Sequence, residues 1–275
     1  MANYRNLFKM GGEVDLPKTT LTAISIVGLI LILLVWHFIS VFEIIPTAIL
    51  PEPLKVITSY GYLFENHHLL ANSWYSVKLN LSCYFWAILI SIPVGFFIGL
   101  YPINNIVVGR YINAIRYIPA PACVGIFISL FGLTFGLKTG FLTFCIVIYL
   151  IPAICNKINE IQNPKNDNEF VYLQTIKTLG ATPWQKFKEV YFPYVMGSIT
   201  DDIINLTAVS YSYLVICETI FKSGTVNGLG SLIGVMSRQA HMDAVYALLF
   251  LIIVIGILQD LMFKFIDKKL FSWKY

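Results

Sequence analysis

The stretch Gln174-Thr-Ile-Lys-Thr-Leu-Gly-Ala-Thr-Pro-Trp-Gln-Lys-Phe-Lys-Glu-Val-Tyr-Phe-Pro193 is the longest polar, charge-bearing interruption in an otherwise apolar chain. Its residues predict two short helices joined by a tight turn. No helix breaker lies between Asn168 and Leu179, and Gly180 stands where a glycine ends a helix in the left-handed conformation. This stretch therefore predicts a compact helix–turn–helix.

The second of these helices carries strong signals at its start. Thr182 is a suitable N-cap, Pro183 takes the first helical position, and Gln185 follows three residues after the cap. This is the pattern of a capping box with a favourable proline. Pro193 then predicts the end of the helix, because proline cannot continue the hydrogen-bond ladder.

One face of the second helix is aromatic. Trp184, Phe187 and Tyr191 recur at the spacing i, i+3 and i+7, which places them on one side of a helix. The neighbouring lysines and the glutamate lie off this stripe. A short, capped helix with an aromatic face is typical of a segment that another protein holds; an ordinary interhelical loop is the alternative.

The composition indicates a membrane protein. The chain has 275 residues, of which 57% are hydrophobic and 12% charged, against about 25% charged in an average soluble domain. One soluble core of this size cannot bury so much apolar surface. The five cysteines lie inside apolar runs without metal-ligand spacing, so we interpret them as small buried hydrophobic residues.

Apolar runs along the chain predict an all-α membrane protein with about six transmembrane helices. The predicted spans are 20–42, 79–101, 118–137, 139–157, 203–221 and 244–263. Residues 1–19 form a predicted cytoplasmic N-terminal segment, residues 20–275 a single transmembrane domain, and 163–193 a loop between spans four and five. In the second span, Gly95 and Gly99 form a GxxxG pattern that predicts a close-packing face.

The distribution of positive charge predicts the orientation. If the loop 163–193 is cytoplasmic, both termini and the link between spans two and three are cytoplasmic too. Most of the 19 lysine and arginine residues then lie on that side. The positive-inside rule therefore favours six spans with both termini in the cytoplasm.

Residues 180–193 also resemble a known family. The pattern Gly-Ala-x-x-x-x-x-Phe-x-x-Val-x-x-Pro is similar to the cytoplasmic coupling loop of ABC-importer permeases, with Gly180 and Pro193 at its ends. The family's Glu-Ala-Ala is replaced here by Gln174-Thr175-Ile176. We call residues 163–193 the coupling loop. The resemblance implies contact with an ATPase through Leu179, Gly180, Ala181, Thr182, Trp184, Gln185, Phe187, Tyr191 and Pro193.

A second resemblance concerns the other side of the membrane. Glu218 at the end of the fifth span, followed by Gly228-Leu-Gly230, is similar to the Ala-Glu…Gly-Leu-Gly pattern of the nitrate, sulfonate and taurine permeases. An ionisable group at membrane depth tends to face protein or water. We consider Glu218, Lys222 and Arg238 candidate pathway or gate residues. The alternatives are a surface carboxylate and two solvated loop charges.

The function predicted is that of a permease subunit of an ATP-driven ABC importer in the bacterial inner membrane. The resemblance implies a second permease copy in a homodimer, two cytoplasmic ATPases that bind ATP and magnesium, and an extracytoplasmic binding protein. It implies no catalytic residue, cofactor or metal in this chain, and an anion such as a sulfonate, taurine, nitrate or bicarbonate as solute. The alternatives are a thiamine-precursor permease and a self-sufficient secondary transporter or channel.

Overall fold

The computed structural model describes residues 17–132, 134–162, 167–221 and 226–274. Within these ranges the chain forms helices and no strand, which confirms the predicted all-α class. The helices are α1 Lys18–Val41, α2 Pro53–Asn66, α3 Leu69–Leu100, α4 Pro102–Ile115, α5 Val124–Phe131, α6 Phe135–Gln162, α7 Asp167–Thr178, α8 Pro183–Lys186, α9 Phe192–Ile220, α10 Leu229–Arg238 and α11 Met242–Leu270.

Five helical stretches in the described residues are long and apolar enough to cross a membrane. They are α1, α3, α6, the continuous helix Pro183–Ile220 and α11. A sixth span results if two bent parts are counted as one. These parts are α4 and the stretch Ala120–Phe131, which contains α5.

The predicted span over 118–137 does not correspond to one continuous helix. Helix α5 covers only Val124–Phe131, and it is bent by 98° from α4. The bend lies where Pro119 and Pro121 interrupt the helix, because each proline removes a backbone donor and restricts the residue before it. Gly132 then ends α5 with a φ of 61°.

The predicted second span begins too late. Helix α3 already starts at Leu69. Its first turns carry polar side chains, which are buried against other helices and not exposed to lipid. Asn72 and Ser76 are 2% and 0% exposed. A search for apolar runs excludes such residues, although they continue the same helix.

The centre of the bundle is the packing of α3, α6 and α9 around one apolar core. The prediction of a close-packing face at Gly95 and Gly99 is confirmed. A Cβ atom on Gly95 would lie 2.7 Å from the side chain of Ile154, and one on Gly99 would lie 2.6 Å from that of Ile158. The two glycines therefore allow α6 to approach the backbone of α3.

Helices α2 and α10 cover one end of the bundle, which we call the α10 end. Ser59 of α2 donates to the Asp243 carboxylate at 2.6 Å, and the Tyr60 hydroxyl donates to the Ala247 carbonyl of α11 at 2.8 Å. The coupling loop lies at the opposite end. Helix α1 packs loosely, with 6% of its most apolar stretch buried.

Candidate functional site

The turn at Gly180 has the geometry that the sequence predicts. Gly180 has a φ of 70°, and its N–H donates to the Lys177 carbonyl at 3.1 Å. The N–H of Ala181 donates to the Ile176 carbonyl at 3.3 Å. These two hydrogen bonds form a Schellman motif, which ends α7 with a left-handed residue.

The capping box at the start of α8 is also confirmed. The Thr182 hydroxyl accepts a hydrogen bond from the Gln185 N–H at 3.3 Å, and the Gln185 side chain accepts one from the Thr182 N–H at 2.8 Å. Both ends of the turn are therefore held by local hydrogen bonds, so its shape depends little on distant residues.

The prediction that Pro193 ends the helix is wrong. The chain continues as a helix from Pro183 to Ile220, with a π-helical turn at Phe187–Tyr191 that ends two residues before Pro193. A proline ring collides with the carbonyl four residues earlier in a regular α-helix. The wider π turn changes the hydrogen-bond register at this point, so the helix accommodates Pro193 without a break.

The aromatic stripe divides into an exposed part and a packed part. Trp184 is 69% exposed, and the preceding Leu179 is 78% exposed. Phe187 is half-buried, and its ring lies edge-on to Phe96 of α3 with centroids 5.3 Å apart. Tyr191 is also half-buried. Among the described hydrophobic side chains of the loop, Leu179 and Trp184 are thus the most exposed, while Phe187 and Tyr191 pack against the core of the bundle.

Substitution of Gly180 tests whether the left-handed turn matters. Gly180→Val is expected to lower transport several-fold more than Gly180→Asn, because a β-branched residue is strained at a positive φ that asparagine tolerates. A Cβ at Gly180 would meet no atom within 4 Å, so size is not the cause. Transport assays on both variants check this. Equal activities would show that the turn is not required.

The described structure buries Glu218 completely at the α10 end. Its carboxylate accepts hydrogen bonds from the Ser76 hydroxyl, at 2.7 and 2.9 Å to its two oxygens. It also accepts one from the Gly230 N–H at 2.8 Å. A carboxylate at the N-terminus of α10 complements the helix dipole. Glu218 therefore connects α9, α3 and α10.

Asn72 and Ser76 complete the same polar cluster. The Asn72 side-chain oxygen accepts hydrogen bonds from the N–H groups of Asn227 and Gly228, at 3.0 and 2.9 Å. The Ser76 hydroxyl accepts one from the Leu229 N–H at 2.9 Å. The N–H groups of the four successive residues 227–230 thus bind side chains of α3 and α9, which satisfies donors at the buried start of α10.

The Gly-Leu-Gly sequence fits around this cluster. Gly228 has a φ of 97°, and a Cβ atom there would overlap the carboxylate of Glu218. A Cβ atom on Gly230 would lie 2.6 Å from the Val215 carbonyl. Both glycines are therefore required by close approach, and Gly228 also by its conformation.

Lys138 of α6 is a component of this cluster that the sequence analysis did not identify. It is 1% exposed. Its ammonium group donates to the Asn227 carbonyl at 3.4 Å and lies 4.9 Å from the centroid of the Tyr75 ring, in a cation–π contact. A buried cation beside a buried carboxylate balances the charge of the cluster.

Arg238, the second candidate gate residue, does not contact Glu218 in the part of the chain that the structure describes. Arg238 is exposed in the last turn of α10, and Glu218 has Ser76 and Gly230 as its hydrogen-bond partners. Lys222 lies outside the described residues. The role of these residues in a pathway or gate stays a prediction.

A second buried polar network lies deeper in the bundle. The Asn80 amide donates to the Ser210 hydroxyl at 3.1 Å, and Gln259 donates to Asn80 at 3.2 Å. The Tyr211 hydroxyl donates to Gln259 at 2.8 Å. This network joins α3, α9 and α11. Sequence reasoning missed it because single polar residues in apolar runs give no periodic signal.

The similarity of the chain to known proteins decides its family. Residues 91–272 match the family described as the binding-protein-dependent transport system inner membrane component. The chain belongs to this family. It is a membrane subunit of an ABC importer and not an enzyme, since ATP hydrolysis resides in a separate subunit. It is a multi-pass protein of the inner membrane.

Individual relatives agree with this assignment. The permease is 25% identical over 264 residues to a putative ABC transporter permease protein of Methanocaldococcus jannaschii, covering 94% of this chain and 91% of that protein. It is 24% identical over 262 residues to the taurine transport system permease protein of Escherichia coli, covering 94% and 92%.

A solved structure shows a similar fold. The permease matches a chain of the methionine ABC transporter MetNI, in a structure of inward-facing conformations, with a TM-score of 0.53 and 15% identity. The match covers 74% of this chain and 94% of that chain.

Proposed function

We propose that the permease carries a small anion, of the sulfonate or taurine type, into the cytoplasm as half of a homodimeric pore. Two ATPases at the coupling-loop end would bind ATP and magnesium, and a binding protein would deliver the solute at the α10 end. Both termini and the coupling loop would then be cytoplasmic, as the distribution of positive charge favours.

The observation that carries the mechanical part of this proposal is the continuity of the helix Pro183–Ile220. Its first turns belong to the coupling loop, and its last turn holds Glu218 in the cluster at the α10 end. A displacement applied at Trp184 therefore has a rigid route through the membrane to the contacts of α10. The local caps and the Schellman motif keep the start of this lever in one shape.

The choice of an anion has two supports. One relative, at 24% identity, is named as a taurine transport permease. In addition, Arg238 is exposed at the α10 end, where a positive charge would attract an anion by its field. The solutes proposed are sulfonates, taurine, nitrate and bicarbonate.

Uptake into proteoliposomes tests the proposed function. The permease, its co-purified ATPase and its binding protein are reconstituted with ATP on the ATPase side. Radiolabelled taurine, an alkanesulfonate, nitrate, bicarbonate and a thiamine precursor are then offered singly. We expect saturable, ATP-dependent uptake of at least one of the anions.

The other outcomes contradict specific parts of the proposal. Uptake of the thiamine precursor alone would contradict the assignment of an anionic solute. Uptake that persists without ATP and without the ATPase would favour a self-sufficient transporter or channel. Omission of the binding protein is the control, since uptake should then fall to background.

A further inference from the structure

The residues that follow α11 fold back against the start of α9. After Leu270, a 3₁₀ turn covers Ser272–Lys274. The Lys274 ammonium donates to both carboxylate oxygens of Asp201 at 2.9 Å. It also donates to Asp267 of α11 at 3.5 Å and to the Thr200 hydroxyl at 3.4 Å. One cation thus connects the two helices.

The burial of Asp267 increases the energetic cost of losing this contact. Asp267 is 1% exposed, and the Lys274 side chain is 23% exposed. Asp201 is more exposed, at 60% of its side chain. Removing the cation would leave the buried Asp267 without this partner, which costs more than losing a surface ion pair.

Trp273 makes an independent contact with the same part of α9. A Cβ atom on Gly197 would lie 2.7 Å from Cζ2 of the Trp273 ring, and 3.7 Å from the Phe271 ring. Gly197 is buried inside a regular helix, where alanine is the more favourable residue. The absence of a side chain at Gly197 therefore provides space for the tryptophan ring.

This contact lies close to the coupling loop. Gly197 and Asp201 follow Pro193 on the same continuous helix. Farther along, the Tyr211 hydroxyl of α9 donates to Gln259 of α11, so the two helices are also joined inside the bundle.

We propose that residues 271–274, which we call the clasp, fasten α11 to the base of α9, so that displacement of the coupling loop moves both helices as one unit. Trp273 and Lys274 are thereby positioning residues for transport. This proposal rests on the proposed function, because it assigns a second helix to the lever that the ATPase moves.

Lys274→Ala and Trp273→Ala test the clasp in reconstituted transporter with ATPase and binding protein. Each variant is expected to transport about fivefold less solute per ATP hydrolysed, because a fivefold change lies within the range of coupling between side chains in contact. ATPase recovery should stay normal, because the exposed surface of Leu179 and Trp184 is unchanged. Lys274→Arg should restore most of the ratio, since it keeps the charge.

Lys269→Ala is the matched control, since it removes an exposed lysine from the last turn of α11. Its transport per ATP should equal that of the wild type. Gly197→Ala should lower transport per ATP as much as Trp273→Ala does, because the added methyl group displaces the ring. The double variant Gly197→Ala/Trp273→Ala should transport no less solute per ATP than either single variant. Unchanged ratios in both clasp variants, or additive losses in the double variant, would overturn the proposal.

Hydrogen exchange on the isolated permease separates this proposal from the proposed function. Lys274→Ala is expected to accelerate amide exchange at residues 267–274 and leave α3 unchanged. If the wild type shows no ATP-dependent uptake, the proposed function fails, while the exchange result still decides whether the clasp exists. Unaltered exchange would exclude the clasp even where uptake is ATP-dependent.

Discussion

Trp184→Ala is expected to lower the amount of ATPase that co-purifies with the permease by about tenfold or more. Large aromatic side chains at the centre of an interface often contribute about 2 kcal/mol or more each, and Trp184 is 69% exposed on the coupling loop. Trp184 contacts Phe187, with ring centroids 5.3 Å apart, but most of its surface faces away from the bundle, so insertion and thermal stability should change little. Quantitative pull-down of the detergent-solubilised complex measures the effect.

Trp74→Ala is the matched control for this experiment. Trp74 has nearly the same exposure, 68%, but lies in the first turns of α3 at the α10 end. Its removal should leave ATPase recovery unchanged. If both variants lose the ATPase equally, the effect is one of general surface hydrophobicity. If neither loses it, Trp184 is not an anchor of the interface.

Phe187→Ala distinguishes docking from internal support. The aromatic stripe suggests that Phe187 contacts the ATPase, but its ring packs on Phe96 in the structure. We therefore expect Phe187→Ala to lower the melting temperature of the isolated permease, which Trp184→Ala should not do. Cavity formation at a half-buried phenylalanine costs less than the 3–5 kcal/mol typical of a full core site. Loss of ATPase without any loss of stability would instead favour direct docking of Phe187.

The sequence predicts the coupling loop well where its shape is local. The Gly180 turn and the capping box each depend on residues within one or two helical turns, so both follow from the order of residues alone. The effect of Pro193 cannot be predicted from the local sequence, because the π turn that accommodates it forms in a helix held by packing on α3. The same distinction explains α5, whose bend at two prolines divides an apolar run that is otherwise long enough to span.

The buried carboxylate of Glu218 can be identified from the sequence, but its partners cannot. The sequence singles out Glu218 because it is a charge at the end of an apolar run. Its partner Ser76 is 142 residues away along the chain, and Lys138 lies on a third helix. Such contacts depend on how three helices pack, which no local pattern reveals. Proximity in sequence therefore suggests Arg238 as a partner of the carboxylate, whereas the structure gives Ser76 and Gly230.

The second large effect is expected at Glu218. Glu218→Ala should lower the free energy of unfolding by about 3 kcal/mol or more, because hydrogen bonds to a charged group contribute about 1.5–3 kcal/mol each and the buried partners remain unsatisfied. The Gly230 N–H and the Ser76 hydroxyl both lose the carboxylate as their hydrogen-bond acceptor. Thermal unfolding in detergent measures this loss. Glu65→Gln, an exposed glutamate on α2, is the control and should change little.

Glu218→Gln separates folding from control of the transport cycle. The amide keeps the shape of the side chain and one acceptor for the Gly230 N–H, so the permease should still fold. It removes the negative charge that holds the start of α10 and balances Lys138. The assembled transporter should therefore hydrolyse ATP faster without binding protein, because the state in which α10 is held against α3 is weakened relative to its alternative. If basal hydrolysis, transport and stability are all unchanged in Glu218→Gln, the charge has no part in control, and only the shape of the side chain matters.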